Sequence, residues 1–363
     1  MRHPLRTLSI AAIVAAAPLG AQQQQQPRVT EGDWIARGFR FATGETLPEL
    51  RLHYRTLGRP RRDARGVVRN AVLVLHGTGG TGAQFLGAQF AGELYGPGQP
   101  LDTTRYYVVL PDGIGHGGSS KPSDGLRARF PRYGYADMVR AQHLLLTQGL
   151  GVNHLRLVLG TSMGCMHAWQ WGEAYPEFVD GLAPFACAPT QIAGRNRMIR
   201  RMIMDDIRND PAWNGGNYTA PPPGLRAALQ LLFVMTSAPL VQQAQAPTRD
   251  RVDSAITRYL DDRARTTDAN DMLYQFDASR DYDPSGALGT ITARVLAINS
   301  ADDFVNPPEL GIVERLVGKL PNVRFVLVPI GPETRGHGTH TRAVVWKGEL
   351  ASFLASLPEQ GGR

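Results

Sequence analysis

Ser162 is the residue in this chain best placed for covalent chemistry. It lies in Gly160-Thr161-Ser162-Met163-Gly164, between an apolar run ending at Leu159 and a stretch with a helical pattern. Where a strand turns straight into a helix the backbone segments crowd one another, so glycines are needed on either side of the turn and the serine is thrown out at its tip. The helix N-terminus behind it favours developing negative charge. A glycine-rich turn with an incidental serine is the bland alternative, and the strand-turn-helix context argues against it. A hydroxyl is a poor nucleophile at neutral pH; it needs a positioned base, usually an imidazole, which a carboxylate orients in turn.

Three of the nine histidines follow Ser162: His167, His337 and His340. His167 falls on the helix that Ser162 opens and cannot swing back onto the serine, so it is expected to be a packed helix residue. The other two sit in Gly336-His337-Gly338-Thr339-His340, directly after the apolar run Val323 to Pro329. Flanking glycines hold His337 in a loop, whereas Thr339, His340 and Thr341 look like the cap of the last helix, so His337 is the expected base. A two-histidine metal pair fails for want of a third ligand at zinc-site spacing. For the orienting acid, Asp302 and Asp303 stand side by side after the run Arg294 to Asn299. An oxyanion formed on Ser162 would need two backbone donors, and Met163, the next residue, supplies one. The glycines of His76-Gly77-Thr78-Gly79-Gly80 could suggest a phosphate loop, but no Lys-Ser/Thr pair follows them.

Positioning these residues requires strands feeding loops at one edge of a sheet. Short apolar runs at Ala71 to Leu75, Tyr106 to Leu110, Leu155 to Leu159, Gly181 to Phe185, Arg294 to Asn299 and Val323 to Pro329 read as strands. They alternate with helical patterns at about Ala136 to Gln148, Met163 to Tyr175, Glu309 to Leu320 and Arg342 to Leu357, the signature of a mainly parallel sheet covered by helices on both faces. Phe39 to Leu57 reads as an antiparallel pair leading into the sheet. From Thr190 to about Leu288 the alternation stops, and a long insertion before the sheet resumes reads as a helical cap over the site. The expected organisation is thus a leader at 1–21, a polar segment at 22–32, the first part of the core at 33–189, the cap at 190–288 and the second part of the core at 289–363.

Composition narrows the class. Hydrophobic residues are 42% and charged residues 20%, enough apolar area to cover a sheet on both sides. The net charge of +7 is spread among acids with no basic block, which excludes the electrostatic footprint of a nucleic-acid binder. Met1 to Arg6 is basic, Leu8 to Leu19 is apolar but too short for a stable span, and Gly20-Ala21 offers a small-residue exit, so an exported protein, periplasmic or secreted, is expected with no span left after cleavage. Cys165 and Cys187 are the only cysteines, and two buried free thiols are expected, with a single bridge between them as the alternative. Oligomeric state is left open, a homodimer included.

With these residues in place, the chain after about residue 30 resembles the α/β-hydrolase superfamily and, within it, the homoserine O-acetyltransferase family. The family resemblance rests on Phe130-Pro131, Asp137-Met138-Val139 and Gln142, on Ser162-Met163-Gly164 with Met166, and on Asp210-Pro211, Trp213, Gly216, Tyr218 and Gly224-Leu225. The resemblance implies the order serine, acid, histidine along the chain. It implies Asp303 as the acid, because an acid, a short spacer and prolines opening the next helix is the pattern of that loop, and it leaves Asp302 as a solvated turn acid. It also implies Thr78 as the second oxyanion donor. Two departures bear on substrate. Gly164 is followed by Cys165 where a second glycine is usual. Met204 stands where the family places an arginine against the substrate carboxylate, with Arg200 and Arg201 one turn earlier as substitutes.

Three functions are weighed. The expected one is hydrolysis of an ester or related acyl substrate without a cofactor, through an acyl-enzyme on Ser162. The alternative is an O-acyltransferase using acetyl-coenzyme A, which export disfavours. A non-catalytic secreted binding protein is least supported, since nucleophile, base, acid and oxyanion elements occur in order. Met204 argues for an uncharged acyl or alcohol portion.

Overall fold

The computed structural model describes residues 28–318 and 320–358. The expected leader at 1–21 and the Gln22–Gln26 tract lie outside the described residues. Eight strands form one sheet in the order β1-β2-β4-β3-β5-β6-β7-β8. β1 (Val29–Arg40), β2 (Thr46–Leu57) and β4 (Tyr107–Pro111) pair antiparallel in turn. β3 (Ala71–Leu75), β4, β5 (Leu157–Thr161), β6 (Gly181–Phe185), β7 (Arg294–Ser300) and β8 (Val323–Val328) run parallel. β3 to β6 are buried at every position, as parallel strands covered on both faces must be.

The hairpin is longer than its sequence pattern shows. β1 takes in Val29–Gly32, where the sequence reading has a polar segment ending at 32, because an edge strand with few buried residues carries little hydrophobic signal. β5 starts two residues later than expected and runs into the glycine motif as far as Thr161.

One face of the sheet is covered by α2 (Tyr135–Leu144), α3 (Met163–Ala174) and α9 (Ile312–Val317), the other by α1 (Ala88–Leu94) and α10 (Ala343–Ser356). Trp169 and Trp171 fill the first layer, Phe90, Phe185 and Trp346 the second. The helix expected over Glu309 to Leu320 is broken, because Gly311 at φ 56° separates a short turn from α9.

Between β6 and β7 lie α4 (Gly194–Arg208), α5 (Pro223–Thr236), α6 (Pro239–Gln245), α7 (Arg249–Thr266) and α8 (Ala269–Asp277). α8 anchors this insertion to the core. Tyr274 Oη donates to the carbonyls of Ala128 and Phe130, Gln275 Nε2 donates to Gly115 O, and Asp271 accepts from the Ser123 N–H and hydroxyl. The cap motif is structural: Asp210 accepts from the N–H groups of Ala212 and Gly224, and Trp213 Nε1 donates to Asn270. Among the described residues no single helix is long and apolar enough to cross a membrane.

Candidate active site

The turn from β5 into α3 is as tight as its glycines suggest. A Cβ on Gly160 would lie 1.8 Å from Gly164 O, and one on Gly164 would lie 2.1 Å from Leu75 O. Ser162 adopts φ 55° and ψ −110°, a left-handed conformation that costs a non-glycine residue about 1–3 kcal/mol and survives only where its surroundings enforce it. Its N–H donates to Phe185 O of β6, which fixes it against the sheet.

His337 reaches this serine from the loop after β8. Its Nε2 is 2.8 Å from Ser162 Oγ, and its Nδ1 is 2.9 and 3.1 Å from the two oxygens of Asp303. Asp303 is 1% exposed. Burial alone would raise its carboxyl pKa, but the neighbouring His337 together with donors from Asn306 and Val305 outweighs burial and holds it below the ordinary value. With the acid ionised, Nδ1 carries the proton and Nε2 is free to accept one from the serine. His340 is half-buried, its Nδ1 is shut off from solvent with no partner among the described residues, and desolvation followed by the neighbouring His337 pushes it down to about 3.

Met163 opens α3, so its N–H has no helical acceptor. Thr78 lies in the loop after β3, where Gly80 N–H donates to Gly77 O in a tight turn. A Cβ on Gly77 would stand 3.2 Å from Ser162 Cβ, so this loop and the start of α3 flank the serine from two sides. Among the described residues the Thr78 N–H has no protein acceptor, and the Thr78 hydroxyl is buried without a partner. Ser162 lies on the wall of a cavity of about 330 Å³ that runs towards Val313 and Phe325, with Arg195, Asn196 and Arg200 on its cap side.

The family model described as the alpha/beta hydrolase fold matches residues 70–332. This chain belongs to the α/β-hydrolase fold family. It is 29% identical over 290 residues to a probable acyltransferase of Methanothermobacter thermautotrophicus, covering 80% of this chain and 87% of that one. It is 31% identical over 308 residues to the homoserine O-acetyltransferase of Thermobifida fusca, covering 73% and 78%. The crystal structure of esterase E22 superposes with a TM-score of 0.77 at 22% identity, covering 90% of this chain and all of that one (100%). As an α/β hydrolase related to the homoserine O-acetyltransferases, the protein is an acyl-transferring enzyme.

Within this α/β hydrolase several residues stand elsewhere than their sequence context suggests. Met204 is buried in the hydrophobic core and is not among the residues that line the cavity. Arg201 points outward and pairs with Asp205 at 2.6 Å, its side chain 65% exposed. Arg200 does line the cavity. It is 3% exposed, and its bonds go to Asn196 Oδ1 and Ser279 Oγ, with the Phe276 ring beneath it. Among the described residues no carboxylate pairs with it, which leaves a buried guanidinium facing a cavity.

Asp302 is not a solvated turn acid either. It accepts from the Gly336 N–H at 2.9 Å and from the Ser300 hydroxyl, tying the loop of His337 to the loop of Asp303. Thr339 and Thr341 form a short turn of their own and do not cap α10. Cys165 and Cys187 are not free thiols but a disulfide, Cα to Cα 5.9 Å, because α3 and the segment leaving β6 run side by side. Asn306, which sequence reasoning missed, donates to Asp303 Oδ2 at 3.2 Å. Its one sequence signal is its place three residues after the acid.

Proposed function

We propose that the protein hydrolyses a carboxylic ester through an acyl-enzyme on Ser162. The observation that carries this reading is the continuous hydrogen-bonded line from Asp303 through His337 to Ser162 at the wall of a ligand-sized cavity. Ser162 Oγ attacks the ester carbonyl carbon as its proton passes to His337 Nε2, and the N–H groups of Met163 and Thr78 receive the oxyanion. The C–O bond to the alcohol breaks, the alcohol leaves with the proton from His337, and water repeats the sequence to release the acid.

Water as acceptor is supported by the expected export, since acetyl-coenzyme A is scarce outside the cytoplasm. The leader-like residues 1–21 and the disulfide both support a periplasmic or secreted location, because bridges persist in oxidising compartments.

Arg200 favours a second reading. A guanidinium that is buried and, among the described residues, without an acid suits a substrate carboxylate, which supports an acceptor alcohol bearing one, as homoserine does. The deciding experiment offers neutral and carboxylate-bearing acetyl esters, and separately acetyl-coenzyme A with homoserine. Ester hydrolysis with no homoserine-dependent release of coenzyme A is the expected result. Efficient O-acetylation of homoserine would replace the hydrolase reading with the transferase one. Labelling of the wild type but not of Ser162→Ala by a fluorophosphonate checks the nucleophile.

A further inference from the structure

The loops that carry Ser162, Asp303 and His337 are closed into a ring through the segment leaving β6. Asp303 Oδ1 accepts from the Val305 N–H at 2.8 Å, and Oδ2 accepts from Asn306 Nδ2 at 3.2 Å. A carboxylate held by His337 alone could turn about its last bond; donors on both oxygens stop it. The same Asn306 Nδ2 donates to Ala186 O at 2.9 Å. Ala186 stands at φ 66°, a conformation that a non-glycine residue keeps only when its neighbours hold it. Those neighbours are Asn306 on its carbonyl, Ile298 O accepting from its N–H at 2.8 Å, and Cys187, which is bonded to Cys165 three residues past Ser162. From Ser162 the path runs along α3 to Cys165, across the bridge to Cys187, back to Ala186, through Asn306 to Asp303, and through His337 to Ser162 again.

We infer that Asn306 is a positioning residue for the acid–base pair, and that the Cys165–Cys187 bridge acts on that pair through Asn306. The inference rests on the Ser162–His337–Asp303 reading and adds how its spacing is kept. Without Asn306 the Asp303 carboxylate keeps the Val305 N–H on Oδ1 but loses the amide donor on Oδ2, so it is held less firmly against His337. The remaining negative charge is less stabilised, so it holds the proton on His337 more strongly and raises the pH at which the base becomes free. Without the bridge, Ala186 keeps its bond to Ile298 O but loses its tie to α3, which weakens the hold of its carbonyl on the Asn306 amide and loosens Asp303 by the same route.

The substrate is not needed for the test, because a fluorophosphonate reads the pair directly. Ser162 Oγ forms a bond to phosphorus, the P–F bond breaks, fluoride leaves and His337 takes the proton. Second-order labelling rates are measured from pH 5 to 9 for wild type, Asn306→Ala, Cys165→Ala with Cys187→Ala, and the triple variant, with melting curves confirming each fold. Asn306→Ala is expected to slow labelling about tenfold and move its acid limb to higher pH, and the cysteine pair to slow it a few-fold. The triple variant should be no slower than Asn306→Ala alone, since both changes open the same ring.

Losses that multiply in the triple variant, or an unmoved acid limb in Asn306→Ala, would overturn the inference. A wild type that does not label would sink the nucleophile reading instead, so the two failures are distinct. Should the cysteine variant not fold, dithiothreitol completes the cycle on wild type and Asn306→Ala: the dithiol gives two electrons and two protons, leaving Cys165 and Cys187 as thiols.

Discussion

His337 and His340 meet edge to face, ring centroids 5.0 Å apart at 81°, and His337 alone of the two has a nitrogen on Ser162. His340 packs against the base without sharing its bonds. Replacing His337 with alanine should therefore lower turnover by about 10⁴-fold or more, as loss of a triad base does. His340→Ala should cost at most about tenfold, through looser packing of the neighbouring ring. Initial rates on one ester decide it, and the reverse ranking would move the base to His340.

Asp303 links the site to acid stability. Its folded pKa is depressed, so its ionised form contributes stability above the ordinary carboxylate range, and that contribution is lost as pH falls through the folded value. Asp303→Asn removes it. Urea midpoints should therefore show wild type ahead of Asp303→Asn at pH 7, with the gap narrowing on acidification below about pH 4. A gap independent of pH would contradict the assignment.

Asp302 acts on position and not on charge transfer, because its carboxylate holds the Gly336 N–H beside His337. Asp302→Ala should lower turnover by about ten- to a hundredfold, less than Asp303→Ala, while Asp302→Asn keeps an accepting oxygen and should recover most of it. Equal losses in the alanine and asparagine variants of Asp302 would show that the bond to Gly336 is not what matters.

Arg200 should discriminate by charge. Arg200→Met is expected to weaken carboxylate-bearing substrates by about 2–3 kcal/mol in kcat/KM and to leave neutral esters within a few-fold. Equal losses on both classes would mean that the guanidinium serves the cap and not the ligand.

The Cys165–Cys187 bridge spans 22 residues and ties α3 to the end of β6. Removing it should cost about 2–4 kcal/mol of stability. Melting temperatures in the presence and absence of dithiothreitol should differ by several degrees, and a variant lacking both cysteines should not respond to the reductant.

The sequence alone was enough for the α/β fold, because alternating apolar runs and helical patterns leave few ways to cover a parallel sheet. It also picked out Ser162, since glycines at 160 and 164 are demanded by backbone crowding that is local to the turn. Local patterning could not say which of two neighbouring residues faces the site. Met204 and Arg200 lie one turn apart on α4, and only packing against α8 and the cavity decides that the arginine lines it. Asp302, Asn306 and the cysteines depend on partners far along the chain: Gly336 for Asp302, Ala186 for Asn306, and Cys187 lying beside α3 for Cys165. Those contacts exist because a parallel sheet gathers the ends of β5, β6, β7 and β8 at one edge, a proximity in space that spacing along the chain does not encode.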